Sequence, residues 1–171
     1  MAKVETIAPA RLTAEAFAPF GEVVDASVAP VAERINAGHT LAFRDLARIE
    51  VGAEGGRPRL SLYRTTPKAQ PLRLEVLERH PLSSQTFYPL SRRPWLVVVA
   101  PPGEFDRAAV RVFRAGPGQG VNYRPGTWHH YSLALHAVSD FLVIEQEGPG
   151  ENCDEVRLDP PLVIALDEVT S

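Results

Sequence analysis

A chain of 171 residues with a 44% apolar share can bury a core of its own, and its length suits a single domain spanning residues 1–171. Its net charge of −3 and the lack of any basic tract argue against nucleic acid as a partner. The longest strongly apolar run, Trp95 to Ala100, is far too short to cross a bilayer; the segment MAKVETIAPARLTAEAF has no continuous apolar stretch of the kind a secretory leader carries, and the single cysteine, Cys153, allows no intrachain disulfide, so a cytoplasmic protein without a membrane partner is expected.

Sixteen prolines and twelve glycines punctuate the chain, which suits short strands joined by turns. Residues 13–18 predict one short helix, with Thr13 as N-cap and Pro19 as its stop. Residues 21–27 read as a strand, and 28–40 as a loop containing Asn36 and Gly38. Residues 47–51 (ARIEV) alternate apolar and polar, as a half-buried strand does. Residues 59–65 alternate too: Leu60, Leu62 and Arg64 share one face, and Arg59, Ser61 and Tyr63 the other. In 73–80 the side bearing Leu72, Leu74 and Val76 continues into Glu78 and His80. A strand is expected at 83–90, a fully buried one at 94–100, and a second short helix within 102–109. Strands at 109–116, 120–124, 128–135, 138–145 and 161–166 complete a set of about ten. The fold class is therefore all-β, a sandwich or barrel.

Two windows carry the chemistry. ERHPLSSQTF at 78–87 holds Glu78, His80 and Gln85; GVNYRPGTWHHYS at 120–132 holds Asn122, Tyr123, His129 and His130. Glu78 and His80 lie two apart on a strand and point the same way. A buried carboxylate and imidazole are costly unless paired or solvated, and a ligand cavity supplies both. His129 and His130 are adjacent and face opposite sides, so only one can join His80; its spacing from the Pro125-Gly126 turn favours His129. His39, His136 and Cys153 lack such context, and Arg92-Arg93 reads as surface. Arg64 is the arginine best placed to fork onto a carboxylate.

The two windows resemble degenerate cupin motifs. Glu78, His80 and Gln85 stand where the first motif has two histidines and a glutamate, and Pro125-Gly126 followed by His129 stands for the second. A jelly-roll barrel is implied, and the altered ligands imply weak metal binding. A closer resemblance is to the ureidoglycolate lyase family, carried by LERHPLSSQTFYPL, VVVAPPG, GVNYRPGTWHHYSL, DFLVIEQEG and ENCDEV. It implies a carbon–nitrogen lyase of allantoin breakdown that splits (S)-ureidoglycolate into glyoxylate and urea, acting as a homodimer, with nickel attached to the family. Carried onto this chain, His80 and His129 exchange protons and Glu78 orients them or acts as base. Gln85, Asn36 and Asn122 hydrogen-bond the ureido group, Tyr123 adds to the substrate-binding set, and Arg64 holds the carboxylate. Any divalent metal falls to His80, His129 and Gln85. The competing expectations are a metal-dependent cupin oxygenase or isomerase and a non-catalytic cupin module that binds a small acid.

Overall fold

The computed structural model describes residues 5–29 and 31–166. Two short strands, β1 (Thr6–Ile7) and β2 (Ala10–Arg11), precede the one-turn helix α1 (Ala14–Phe17). β3 (Gly21–Val24), β4 (Ala32–Ile35), β5 (Thr40–Phe43), β6 (Arg57–Thr65) and β7 (Leu72–Arg79) follow. Then come β8 (Gln85–Pro89), β9 (Trp95–Ala100), β10 (Arg111–Ala115) and β11 (Gly120–Tyr123). The chain ends in β12 (Trp128–His129), β13 (Leu133–Ala134), β14 (Ser139–Glu147) and β15 (Asp154–Ile164). One sheet runs β1-β15-β7-β12-β9-β10-β2, with β13 also on β9; the second runs β3-β11-β8-β14-β6; β4 and β5 form a separate hairpin. The architecture is the expected all-β, cupin-like barrel with little helix.

The core explains why β9 is a continuous apolar run. Trp95, Val97 and Val99 face Phe87, Tyr123, Phe141 and Val143 of the second sheet. Leu96, Val98 and Ala100 face the other way, onto Leu72, Leu74, Leu77 and Trp128. A strand covered on both faces needs no polar alternation. Each fully buried side chain of this kind contributes roughly 1.5–3 kcal/mol. Trp95 and Phe141 pack edge to face at 4.9 Å, tying the two sheets at their centre.

Several expectations change. The interval 28–40 contains β4 and leads into β5, so it is half of a hairpin and not a loop. Residues 47–51 are extended but join no ladder. Their polar groups are met singly: Ser84 N–H donates to Glu50 O at 2.8 Å, Glu50 N–H to Ser84 Oγ at 2.8 Å, and Asn122 Nδ2 to Arg48 O at 3.0 Å. The helix sought in 102–109 is one 3₁₀ turn, Arg107–Ala109. α1 is capped as read, with Thr13 Oγ1 accepting from Ala16 N–H at 3.1 Å.

Two face assignments are also corrected. On β6, Leu60 and Leu62 are 68% and 69% exposed, so the apolar side is the outer one. Arg59, Ser61 and Tyr63 form the inner side, with Ser61 and Tyr63 bonded to Glu145. On β7, Leu72, Leu74 and Leu77 all join one cluster, so the buried side changes parity between Leu74 and Leu77. The shift lies opposite a break in β15, where the register jumps between Arg157 and Leu162 across Asp159-Pro160-Pro161. That change of parity turns Glu78 to the inner face, opposite His129.

Candidate active site

Glu78 and His80 close the end of β7, and His129 reaches them from β12 through the pairing His129↔Glu78. The approach to β12 is set by the Pro125-Gly126 turn. Thr127 N–H donates to Arg124 O at 3.1 Å, and Gly126, at φ 80, occupies the position that favours glycine. Gly126 N–H donates to His80 O at 2.9 Å, which stitches the turn to the first histidine. The result places the His80 and His129 rings 5.2 Å apart, with Glu78 Oε1 4.0 Å from His80 Nε2 and 3.6 Å from His129 Nε2.

The partners dictate where the protons sit. His80 Nδ1 lies 2.6 Å from Asn152 O, a carbonyl that can only accept, so Nδ1 carries the hydrogen. Nε2 is then the bare nitrogen; it is buried and without a hydrogen-bond partner among the described residues. Burial, then the neighbouring His129, holds the His80 imidazole below its ordinary range, so it is neutral. At His129, Nδ1 faces Thr127 O at 2.9 Å, and Nε2 faces Gln85 Oε1 at 3.1 Å. The Gln85 amide is oriented from its other end, where Nε2 donates to the Glu145 carboxylate at 3.3 Å. Each nitrogen of His129 thus has an oxygen partner, a backbone carbonyl at one and the Gln85 amide at the other. The His129 imidazole, 3.6 Å from the carboxylate, outweighs burial and holds the Glu78 carboxyl below the usual range. Tyr123 stacks on the same ring at 4.3 Å and 13°, which fixes its plane.

In front of this pair lies a polar cavity of about 430 Å³, walled by Arg59, His80, Ser83, Gln85, Glu145 and the loop through Asn152. Glu145 accepts from Ser61 at 2.9 Å and from Tyr63 at 2.9 Å besides Gln85. Burial and that bond push the Tyr63 phenol up to about 12, so it stays a donor. His80 and Gln85 stand at the wall; Glu78 and His129 form the layer behind them.

The other residues expected at the site are placed elsewhere. Arg64 is bidentate to Asp140, at 2.8 and 2.9 Å, on the outer side of β6. Asn36 bonds Thr40 at 3.1 Å at the tip of the β4–β5 hairpin. Asn122 is fully buried and saturated, accepting from Thr86 at 2.7 Å and donating to Glu22 at 2.8 Å and to Arg48 O. Tyr123 meets His129, not the cavity. Three residues that the sequence reading missed line the cavity, Glu145, Arg59 and Asn152, and Tyr63 supports Glu145 from behind. Glu145 had a signal, since Phe141, Val143 and Glu145 repeat the apolar-to-acidic switch that singled out Glu78.

The donor set also fits a divalent ion. Glu78, His80 and His129 bring one carboxylate oxygen and two imidazole nitrogens within 4.8 Å of one another, and the bare His80 Nε2 has no other bond to give up. Gln85 Oε1 adds an amide oxygen beside His129.

A β-barrel with a neutral imidazole at the wall of a small polar cavity, backed by a second imidazole beside a carboxylate, has the layout of an acid–base enzyme for a small polar molecule. The Ureidoglycolate lyase family matches residues 4–165 of this chain. The chain is 46% identical over 164 residues to a ureidoglycolate lyase of Burkholderia mallei (strain NCTC 10229), covering 96% of each. It is 51% identical over 150 residues to that of Burkholderia cepacia, covering 87% of this chain and 84% of the relative. To ureidoglycolate lyase 1 of Rhizobium meliloti (strain 1021) it is 45% identical over 153 residues, covering 90% and 89%. The chain belongs to the ureidoglycolate lyase family.

Proposed function

We propose that this enzyme cleaves (S)-ureidoglycolate to glyoxylate and urea, with His80 as the proton carrier. The substrate is a carbinolamine: one carbon bears a hydroxyl, a carboxylate and the ureido nitrogen. Elimination takes the proton from the hydroxyl oxygen and delivers one to the departing nitrogen, while the O–H electrons become the new carbonyl bond and the C–N electrons leave with urea. Oxygen and nitrogen sit on the same carbon, so one imidazole can serve both. The bare Nε2 of His80 accepts the hydroxyl proton and returns it to the nitrogen. The observation that carries this reading is the fixed tautomer of His80, with Nδ1 held by Asn152 O and Nε2 left without a partner among the described residues. Positioned general acid–base catalysis of this kind contributes roughly 10²–10⁴-fold in rate. The transient His80 cation is stabilised by Glu78 at 4.0 Å, and His129 holds that carboxylate in place. Glu145 and the remaining amide hydrogen of Gln85 offer an acceptor and a donor to the ureido group.

A divalent ion, when bound, would be held by His80, His129 and Glu78 with Gln85 beside them, and would supply Lewis-acid polarisation of a substrate oxygen. The enzyme is taken to work in the cytoplasm as a homodimer without nucleic-acid or membrane partners. Among the described residues no helix is long and apolar enough to cross a membrane. The outer face of the second sheet supports the dimer: Leu60 and Leu62 stand in register beside Ile144 and Leu142, and Leu142 beside Tyr88, an apolar patch.

Incubation with fresh ureidoglycolate, with urea and ammonia measured separately, tests the reading. Urea released in step with glyoxylate is expected. Ammonia as the direct nitrogen product would replace the lyase by a hydrolase. No acceleration over spontaneous decay would leave a binding module.

A further inference from the structure

The cavity that faces His80 is acidic: Glu145 and Glu147 line it, and Glu78 lies behind. A substrate carrying a carboxylate cannot settle there without a cation. Arg64, the arginine singled out by the sequence, is committed to Asp140 on the other side of the strand. Arg59 lines the cavity from the inner side of β6, directly across the ladder from Glu145. Its one close carboxylate among the described residues, Glu147 at 3.0 Å, is shared with Arg57 at 2.9 Å. Glu145 already has Ser61, Tyr63 and Gln85 as donors. Two guanidinium groups on one carboxylate leave a positive charge in excess at the rim. The Arg59 contact uses Nη2, which leaves other N–H donors of the fork for a second carboxylate.

Resting on the lyase reading, we infer that Arg59 holds the substrate's carboxylate, so that the ureido end points at Gln85 and Glu145 and the hydroxyl at His80. The order along the cavity is then fixed by its two ends: a guanidinium for the anion, and a paired amide and carboxylate for the urea. Arg59 is a specificity residue, and its loss falls on binding of the carboxylate and not on proton transfer.

The test uses oxamate, a carboxylate joined to a carboxamide, as a non-reacting probe titrated by calorimetry into the purified enzyme. Arg59→Gln is expected to weaken oxamate at least tenfold, Arg59→Lys to fall between, and Arg64→Gln to stay within twofold of the parent. In turnover, Arg59→Gln is expected to raise KM for ureidoglycolate by a similar factor with kcat within threefold. Parent-like oxamate affinity in Arg59→Gln would overturn the inference, as would an equal loss in Arg64→Gln or no oxamate binding by the parent enzyme. Oxamate binding that depends on Arg59, in an enzyme that releases no urea from ureidoglycolate, would remove the proposed reaction and keep the carboxylate site.

Discussion

The two adjacent histidines of WHHYS offer a direct test of how the fold divides labour. His130 faces away from His129, is 3% exposed and donates from Nδ1 to Tyr131 O at 2.9 Å, while its Nε2 has no partner among the described residues. Burial pushes its imidazole down from 6.5 to about 4; the nearby Lys68 and His129 charges act in the same direction, and the Tyr131 carbonyl and Glu78 oppose them. In the unfolded chain the ring takes a proton below about 6.5, whereas the folded protein refuses it until about 4. The unfolded state thus binds more protons between these values, and stability must fall as pH falls through that window. The gap of about 2.5 pH units, at about 1.4 kcal/mol each, gives a loss of roughly 3 kcal/mol, complete near pH 4 and absent above pH 6.5.

The assay is denaturant unfolding of the parent and His130→Asn at a series of pH values from 7.5 to 4.5, since the asparagine amide can keep the bond to Tyr131 O. His80 and Glu78 titrate in both proteins and cancel in the difference. The parent should lose stability relative to His130→Asn as the pH falls below about 6.5, at up to about 1.4 kcal/mol per pH unit. A difference that stays flat from pH 6.5 to 4.5 would show that the folded protein accommodates a charged His130 and that the argument from burial is wrong.

Further outcomes follow from the site. His80→Ala should lower kcat about 100-fold or more with the fold intact by circular dichroism. His129→Phe should lower kcat about tenfold and move the acid limb of the pH–rate profile upward, because His129 helps to hold His80 down and Glu78 would be released to raise it. Metal analysis of the purified enzyme should find less than one divalent ion per chain, with turnover surviving exhaustive chelation; a tight stoichiometric ion whose removal abolishes activity would favour a metal-dependent oxygenase or isomerase. Leu60→Asp combined with Leu62→Asp should convert a dimer to an 18.7 kDa monomer in light scattering, and an unchanged mass would move the interface elsewhere.

Much of the barrel was legible because short alternating runs between prolines and glycines are a local signal. The ends of β7 and the turn before β12 were legible for the same reason, and with them Glu78, His80 and His129. What alternation cannot say is which of two faces is inner. On β6 the apolar residues Leu60 and Leu62 lie outside, and the polar trio Arg59, Ser61 and Tyr63 lines the interior, so the usual rule inverts. Arg64 was placed at the substrate by that rule; it lies on the outer side, bidentate to Asp140, while Arg59 lines the cavity. On β7 the pattern looked continuous from Leu72 to His80, yet the mismatch with β15 shifts parity within it. Asn122 stood in the right window, but its amide is consumed by Thr86, Glu22 and Arg48, which share no sequence signal with it.

Gln85 bears on the two expectations set out for this site, proton transfer by His80 and only weak metal binding. Its amide lies between two carboxylates of different duty: Glu145, held by Ser61 and Tyr63, and Glu78, paired with His129. An amide has a donor end and an acceptor end, so it can answer a carboxylate on one side and an N–H on the other. A glutamate there, as in the usual cupin motif, would crowd a third negative charge between the two, and one of them would have to take up a proton or a cation. That cation would be a metal ion gathered by His80 and His129, and the lone pair of His80 would be spent on it. With glutamine that third charge is absent, and in the proposed reaction the His80 lone pair serves the substrate.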